Sequence, residues 1–206
     1  MNLQLKDKVI IVTGGAKGIG EGISRVLAAE DAIPVIVGRS EADNKALVDS
    51  ISLTGKKADY ITAELSNPED CELAVKKIAA KYKVIDGLVN NAGVNDGVGL
   101  QNGSYSTFMQ SLHNNLVHYY LMAHHTLPYL IKSKGSIVNI GSKTAETGQG
   151  STSAYAAANG GRNALTREWA VELLQYSIRV NAVIVAECYT PLYENWIKHL
   201  IIRKKI

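Results

Sequence analysis

The chain has 206 residues, 46% of them apolar and 20% charged, which suits a single soluble globular domain with a sizeable core. A dispersed net charge of +3 leaves no footprint for nucleic acid or an anionic membrane, and two cysteines, Cys71 and Cys188, build neither a disulfide framework nor a metal site. No stretch reaches ~18 uninterrupted apolar residues, and MNLQLKDKVIIVTGG runs directly into a strand, so no signal peptide or membrane span is predicted and the cytoplasm is the expected compartment. In chain order, strands are predicted at Lys8–Thr13, Ile33–Val37, Ala58–Thr62, Ile85–Asn90, Gly135–Ile140 and Ile178–Ile184. Most are almost continuously apolar, as strands covered on both faces must be. Helical periodicity fills the intervals Ile19–Glu30, Glu41–Thr54, Pro68–Tyr82, Ser104–Ser133 and Thr152–Tyr176, with Asn67 ahead of Pro68 as a plausible helix start. Strand–helix alternation throughout predicts an α/β fold with a doubly wound parallel sheet and helices on both faces, as one domain over residues 1–206.

Thr13–Gly20, TGGAKGIG, falls between the first strand and the first helix. Gly14 allows a tight turn, Gly18 lets backbone approach a pyrophosphate, and Gly20 permits close helix–strand packing. The helix starting at Ile19 then offers its unpaired N–H groups to the phosphates. A glycine-rich turn alone is weak; here the strand–loop–helix context is met, so a Rossmann-like dinucleotide site is predicted. The second strand runs into Gly38 and Arg39, where an acidic side chain would select NAD. Arg39 together with Lys17 suits a 2′-phosphate instead, because Arg grips phosphate with paired hydrogen bonds. NADP is the expected cofactor and NAD the alternative; two solvated surface cations are the plain reading of the pair.

Ser142 closes the fifth strand and Tyr155 opens the following helix, thirteen positions on across a polar loop. A hydroxyl facing a phenol suits proton transfer at a carbonyl or carbinol. His113, His118, His124 and His125 share the preceding helix, but their spacing builds no metal face, and no metal is predicted.

TGGAKGIG, the NNAG of Asn90–Gly93, Asn115, Ser142 and Tyr155 resemble the motifs of the short-chain dehydrogenase/reductase family over residues 5 to about 198. The resemblance implies that Asn91, Ala92 and Gly93 let backbone lie close to the cofactor while Asn side chains tie strands together. It implies that Glu64 and Leu65 lie beside the adenine and Thr190 at the nicotinamide end. Asn115 would kink its helix and hold a water in a proton relay. Tyr155 would exchange the carbinol proton while Ser142 holds the oxygen, and hydride would pass to or from the nicotinamide, chemistry that belongs to the cofactor. One position departs: where the family has Lys, four residues after Tyr155, this chain has Asn159. A free phenol is a poor base at neutral pH, and a unit charge at ~4 Å in an effective dielectric of ~20 is worth about 4 kcal/mol. Asn159 still offers a hydrogen bond to a ribose hydroxyl, but impaired turnover is expected.

The loop after Ser142, NDGVGL after NNAG, LTREWAVEL and TPLYENWI resemble the L-fucose dehydrogenase branch of that family. Asn95, Asp96, Lys143, Glu146 and Gln149 are then candidates to read sugar hydroxyls, and Tyr193 and Trp196 to cover an apolar sugar face; loop polarity and helix packing are the plain alternatives. The family is usually homo-oligomeric, and this chain stops before its last helix and strand, leaving the interface incomplete and the sixth strand a bare edge. Leu200–Lys204 reads as the one-base frameshift of a Phe-Asp-Asn-Pro-Glu-Glu continuation, so a C-terminal truncation near His199 is expected, with an ordinary cationic tail as the alternative. Two other functions remain open: a non-catalytic NADP-binding or regulatory protein, and a reductase of a 3-oxoacyl group or another ketone.

Overall fold

Residues 9–13 are buried at every position, so this stretch can only serve as an inner strand. The computed structural model describes residues 3–190 with Tyr193, Glu194 and Ile197, so Trp196 and Leu200–Lys204 lie outside the described residues. Strands β1 (Val9–Thr13), β2 (Ile33–Gly38), β3 (Asp59–Thr62), β4 (Gly87–Asn90), β5 (Ser136–Ser142) and β6 (Arg179–Val185) form one sheet in the order 3-2-1-4-5-6. Every neighbouring pair is parallel. Helices α1 (Gly18–Ala29), α2 (Glu41–Ser52), α3 (Pro68–Tyr82), α4 (Tyr105–Leu112), α5 (His118–Ser133) and α6 (Ser153–Glu172) make the crossovers.

Alternation along β1 divides the core. Val9 and Ile11 face one side with Val75, Ile78, Met122, Leu130 and Trp169. Ile10 and Val12 face the other with Ile19, Ile23 and Leu27. The helix starts follow local chemistry: Ser40 accepts from the Asp43 amide, Asn67 accepts from the Glu69 amide ahead of α3, and Ser104 with Thr107 forms a reciprocal box at α4.

The predicted helix at 104–133 is α4 and α5 joined by a π turn at His113–Val117. Asn115 Nδ2 donates to the Ser111 carbonyl at 3.0 Å, while its Oδ1 accepts from the Val94 amide at 2.8 Å. Bonding outward in this way widens the helix by one residue at Asn115. The strand order reverses between β1 and β4, and the cleft opens at the carboxyl ends of the strands there, as it does in open parallel sheets.

Candidate functional site: a cleft at the strand ends

Thr13 ends β1, Asn90 ends β4 and Ser142 ends β5, so three strands deliver their last residues to one place. The cleft there has a volume of about 890 Å³. Its glycine turn is tight: Gly14 has φ +60°, and a Cβ on it would come within 3.0 Å of the Ala92 Cα. A Cβ on Gly20 would stand 2.2 Å from the Gly14 carbonyl oxygen. Both positions require glycine, and the resulting cradle of bare backbone at the start of α1 fits a pyrophosphate.

The NNAG stretch is stitched to that turn. Asn91 Nδ2 donates to the Thr13 and Gly14 carbonyls at 3.0 and 3.2 Å, and the amides of Asn91 and Ala92 both donate to Thr13 Oγ1. Asn90 Nδ2 crosses to Asn139 Oδ1 on β5 at 3.1 Å. One short motif thus welds three adjacent strands and holds its backbone against the cleft.

Beyond the ends of β2 and β3 the wall contains Lys17, Arg39, Glu64 and Leu65. Asp43, which the sequence reading passed over, pairs with Lys17 at 2.7 Å. The Lys17 ammonium and then the Ser40 hydroxyl hold its carboxyl below the usual range. Only the first-turn position of Asp43, the third residue of α2, hinted at it. Thr190 lies beside the glycine turn, its Cγ2 3.5 Å from where a Gly18 Cβ would be. The family resemblance had put it at the nicotinamide end.

Ser142, Tyr155, Ile140, Gly93 and Asn95 line the other end of the same cleft. Ser142 accepts from the Thr144 amide at 3.3 Å, which fixes the loop start. Tyr155 sits in the first turn of α6. Asn159 is fully buried: Nδ2 donates to the Tyr155 carbonyl at 2.8 Å, and Oδ1 accepts from Arg162 at 3.0 Å. Its side chain is therefore spent within the helix and is not part of the cleft wall.

Of the sugar-reading candidates, Asn95 and Tyr193 line the cleft. Asp96 turns to Ser111 Oγ at 2.9 Å, Glu146 to Asn163 at 2.6 Å, and Lys143 to Glu187, while Gln149 is exposed on the loop. Among the described residues no cluster of His, Cys, Asp and Glu could hold a metal.

Two buried polar residues of the wall were missed in the sequence. Arg162 is 3% exposed and His118 is 1% exposed, yet both border the cleft. Burial, and then the Arg162 guanidinium, push the His118 imidazole down to about 3. The signal for Arg162 was available: Tyr155, Asn159 and Arg162 lie four and three apart, on one helical face.

The family model for short chain dehydrogenases matches residues 8–200. The L-fucose dehydrogenase of Bos taurus is 32% identical over 195 residues, covering 94% of this chain and 71% of that protein. A 3-oxoacyl-[acyl-carrier-protein] reductase of Chlamydia pneumoniae is also 32% identical, over 89% of this chain and 74% of its own length. Among solved structures, Cj0485 dehydrogenase superposes with a TM-score of 0.90 at 47% identity, over 97% of this chain and 76% of that one.

Proposed function

The chain belongs to the short-chain dehydrogenase family, an NAD(P)-dependent oxidoreductase family, and we propose that within it the chain oxidises a sugar carbinol of the L-fucose kind, with NADP as the preferred dinucleotide. The observation that carries the chemistry is the meeting of Ser142 and Tyr155 with the glycine turn in one cleft. When bound there, the dinucleotide supplies the hydride acceptor. Gly14, Gly18 and Gly20 would hold its phosphates, and Asn91 to Gly93 would bring backbone beside it. Ser142 holds the carbinol oxygen by hydrogen bond and Tyr155 takes its proton.

Support for NADP is the pair Arg39 and Lys17 at the ribose end of the cleft, with no acidic residue at the end of β2. The Lys17–Asp43 pair is exposed, and a bound 2′-phosphate competes with Asp43 for the ammonium. Support for a sugar is the likeness to L-fucose dehydrogenases and the polar wall of Asn95 and Tyr193 beside the hydroxyl pair. The second reading, reduction of a 3-oxoacyl group, rests on the equal identity to the bacterial reductase.

The neutral Asn159 keeps turnover low. General-base catalysis contributes about 10²–10⁴-fold, and Asn159→Lys is expected to raise kcat for L-fucose with NADP by about 10²-fold or more. The test is the appearance of NADPH absorbance with L-fucose, set against a panel of other sugars and 3-oxo compounds. Silence with every sugar from Asn159→Lys, together with turnover of a 3-oxo compound, replaces the sugar reading with the second one.

A further inference from the structure

Arg162 carries a charge that the family chemistry does not call on. It lies in α6, 3% exposed, and among the described residues no carboxylate pairs with it. A buried cation without a counter-ion is costly unless its hydrogen bonds are made. Here they are. Nε donates to the Asn115 carbonyl at 2.6 Å, and Nη1 donates to the Ile140 carbonyl at 3.1 Å and to Asn159 Oδ1 at 3.0 Å. The guanidinium also lies over the Tyr119 ring, 4.2 Å from its centroid, while the Tyr119 hydroxyl donates to the same Ile140 carbonyl at 2.9 Å.

With a longer contact from Nη2 to Asn115 Oδ1 at 3.5 Å, the acceptors come from three segments, and each segment carries one residue of the site. Asn115 is in the π turn, Ile140 is two residues before Ser142, and Asn159 is one helical turn after Tyr155. The guanidinium also explains a glycine: a Cβ on Gly93 would fall 2.8 Å from Arg162 Nη2 and 3.0 Å from Asn115 Oδ1. Arg is the one side chain whose rigid fork can serve three carbonyl-type acceptors at once.

We propose that Arg162 is a positioning residue: its fork fixes the π turn, the end of β5 and the first turns of α6 against one another, and so sets where the Ser142 and Tyr155 hydroxyls stand. It supplies the buried positive charge at this end of the cleft, where Asn159 supplies none. The proposal rests on the dehydrogenase reading for its effect on turnover, but not for its effect on local order.

The test uses the full chain with Arg162→Met and Arg162→Lys, in the native and the Asn159→Lys backgrounds. Amide hydrogen exchange is measured together with NADPH affinity and sugar turnover. Exchange at residues 113–117 and 136–142 is expected to rise about tenfold or more in Arg162→Met, while the β1–α1 turn stays within about twofold. NADPH affinity should hold within about threefold, and kcat should fall about tenfold or more with KM for the sugar unchanged. Arg162→Lys, which keeps the charge and loses the fork, should lie between. Uniform loosening of the whole chain, no local change, or a kcat equal to the parent's overturns the proposal. If Arg162→Met does not fold, Arg162→Lys is read for the same local pattern. A local exchange response in a chain that turns over no sugar in either background upholds the positioning and removes the sugar assignment alone.

Discussion

Position 159 is neutral and fully buried, and the nearest cation on the same helical face is Arg162. In the reaction proposed above, the charge that would assist Tyr155 is a guanidinium locked into backbone carbonyls rather than a mobile ammonium. The same guanidinium acts on His118, whose Nε2 donates to the Asn114 carbonyl at 3.0 Å while Nδ1, buried, has no protein partner. Burial makes the neutral ring the folded form and Arg162 further opposes its protonation, while the bond to Asn114 acts the other way. In the unfolded chain an imidazole titrates near ~6.5, so between that pH and about 3 the unfolded state binds one more proton than the folded state. The associated stability is present above pH ~6.5 and is lost as pH falls, at up to about 1.4 kcal/mol per pH unit. Thermal or urea unfolding of the parent and of His118→Gln between pH 7.5 and 5, above the range of the exposed carboxylates, should show the parent's slope reduced in the variant. Parallel curves for the two proteins would contradict the assignment.

Among the elements, those fixed by local chemistry were the legible ones. The glycine turn, the Pro68 start of α3 and the apolar runs of β1 and β2 follow from residue types at fixed spacing, and the structure has them within a residue or two. The π turn did not announce itself as a break, because Leu112, Leu116 and Tyr119 keep helical spacing through it; only Asn115 marked it. Arg162 was not singled out because sequence does not reveal that the Asn115 and Ile140 carbonyls converge on it from distant segments. The polar loop residues were equally illegible: Lys143, Glu146 and Asp96 look suited to sugar hydroxyls, yet each has a protein partner. Strand β6 lies at one edge of the described sheet. It pairs only with β5 among the described residues, and Val183 and Ile184 are 51% and 42% exposed. An open apolar edge templates pairing with another chain. Val183→Lys should lower concentration-dependent association, read by light scattering, without altering the far-ultraviolet spectrum; unchanged scattering would show that the edge is not the contact.

At the scale of the whole molecule, the parallel strands gather the cleft-lining residues at one end of the sheet, and the reversal of strand order between β1 and β4 opens the cleft. The doubly wound class follows from strand–helix alternation alone, since parallel neighbours need crossovers and crossovers are right-handed. No helix among the described residues is long and apolar enough to cross a membrane. What the fold delivers is a dinucleotide cradle at one end of a cleft and a hydroxyl pair at the other, and the functional reading depends on both being used together. The direct measurement is a fluorescence titration of the chain with NADPH and NADH, repeated with Gly20→Val and Tyr155→Phe. The account predicts saturable binding, tighter for NADPH, retained in Tyr155→Phe and abolished in Gly20→Val, where side-chain atoms would occupy the space 2.2 Å from the Gly14 carbonyl oxygen. Absence of saturable binding, or binding indifferent to Gly20→Val, would contradict it.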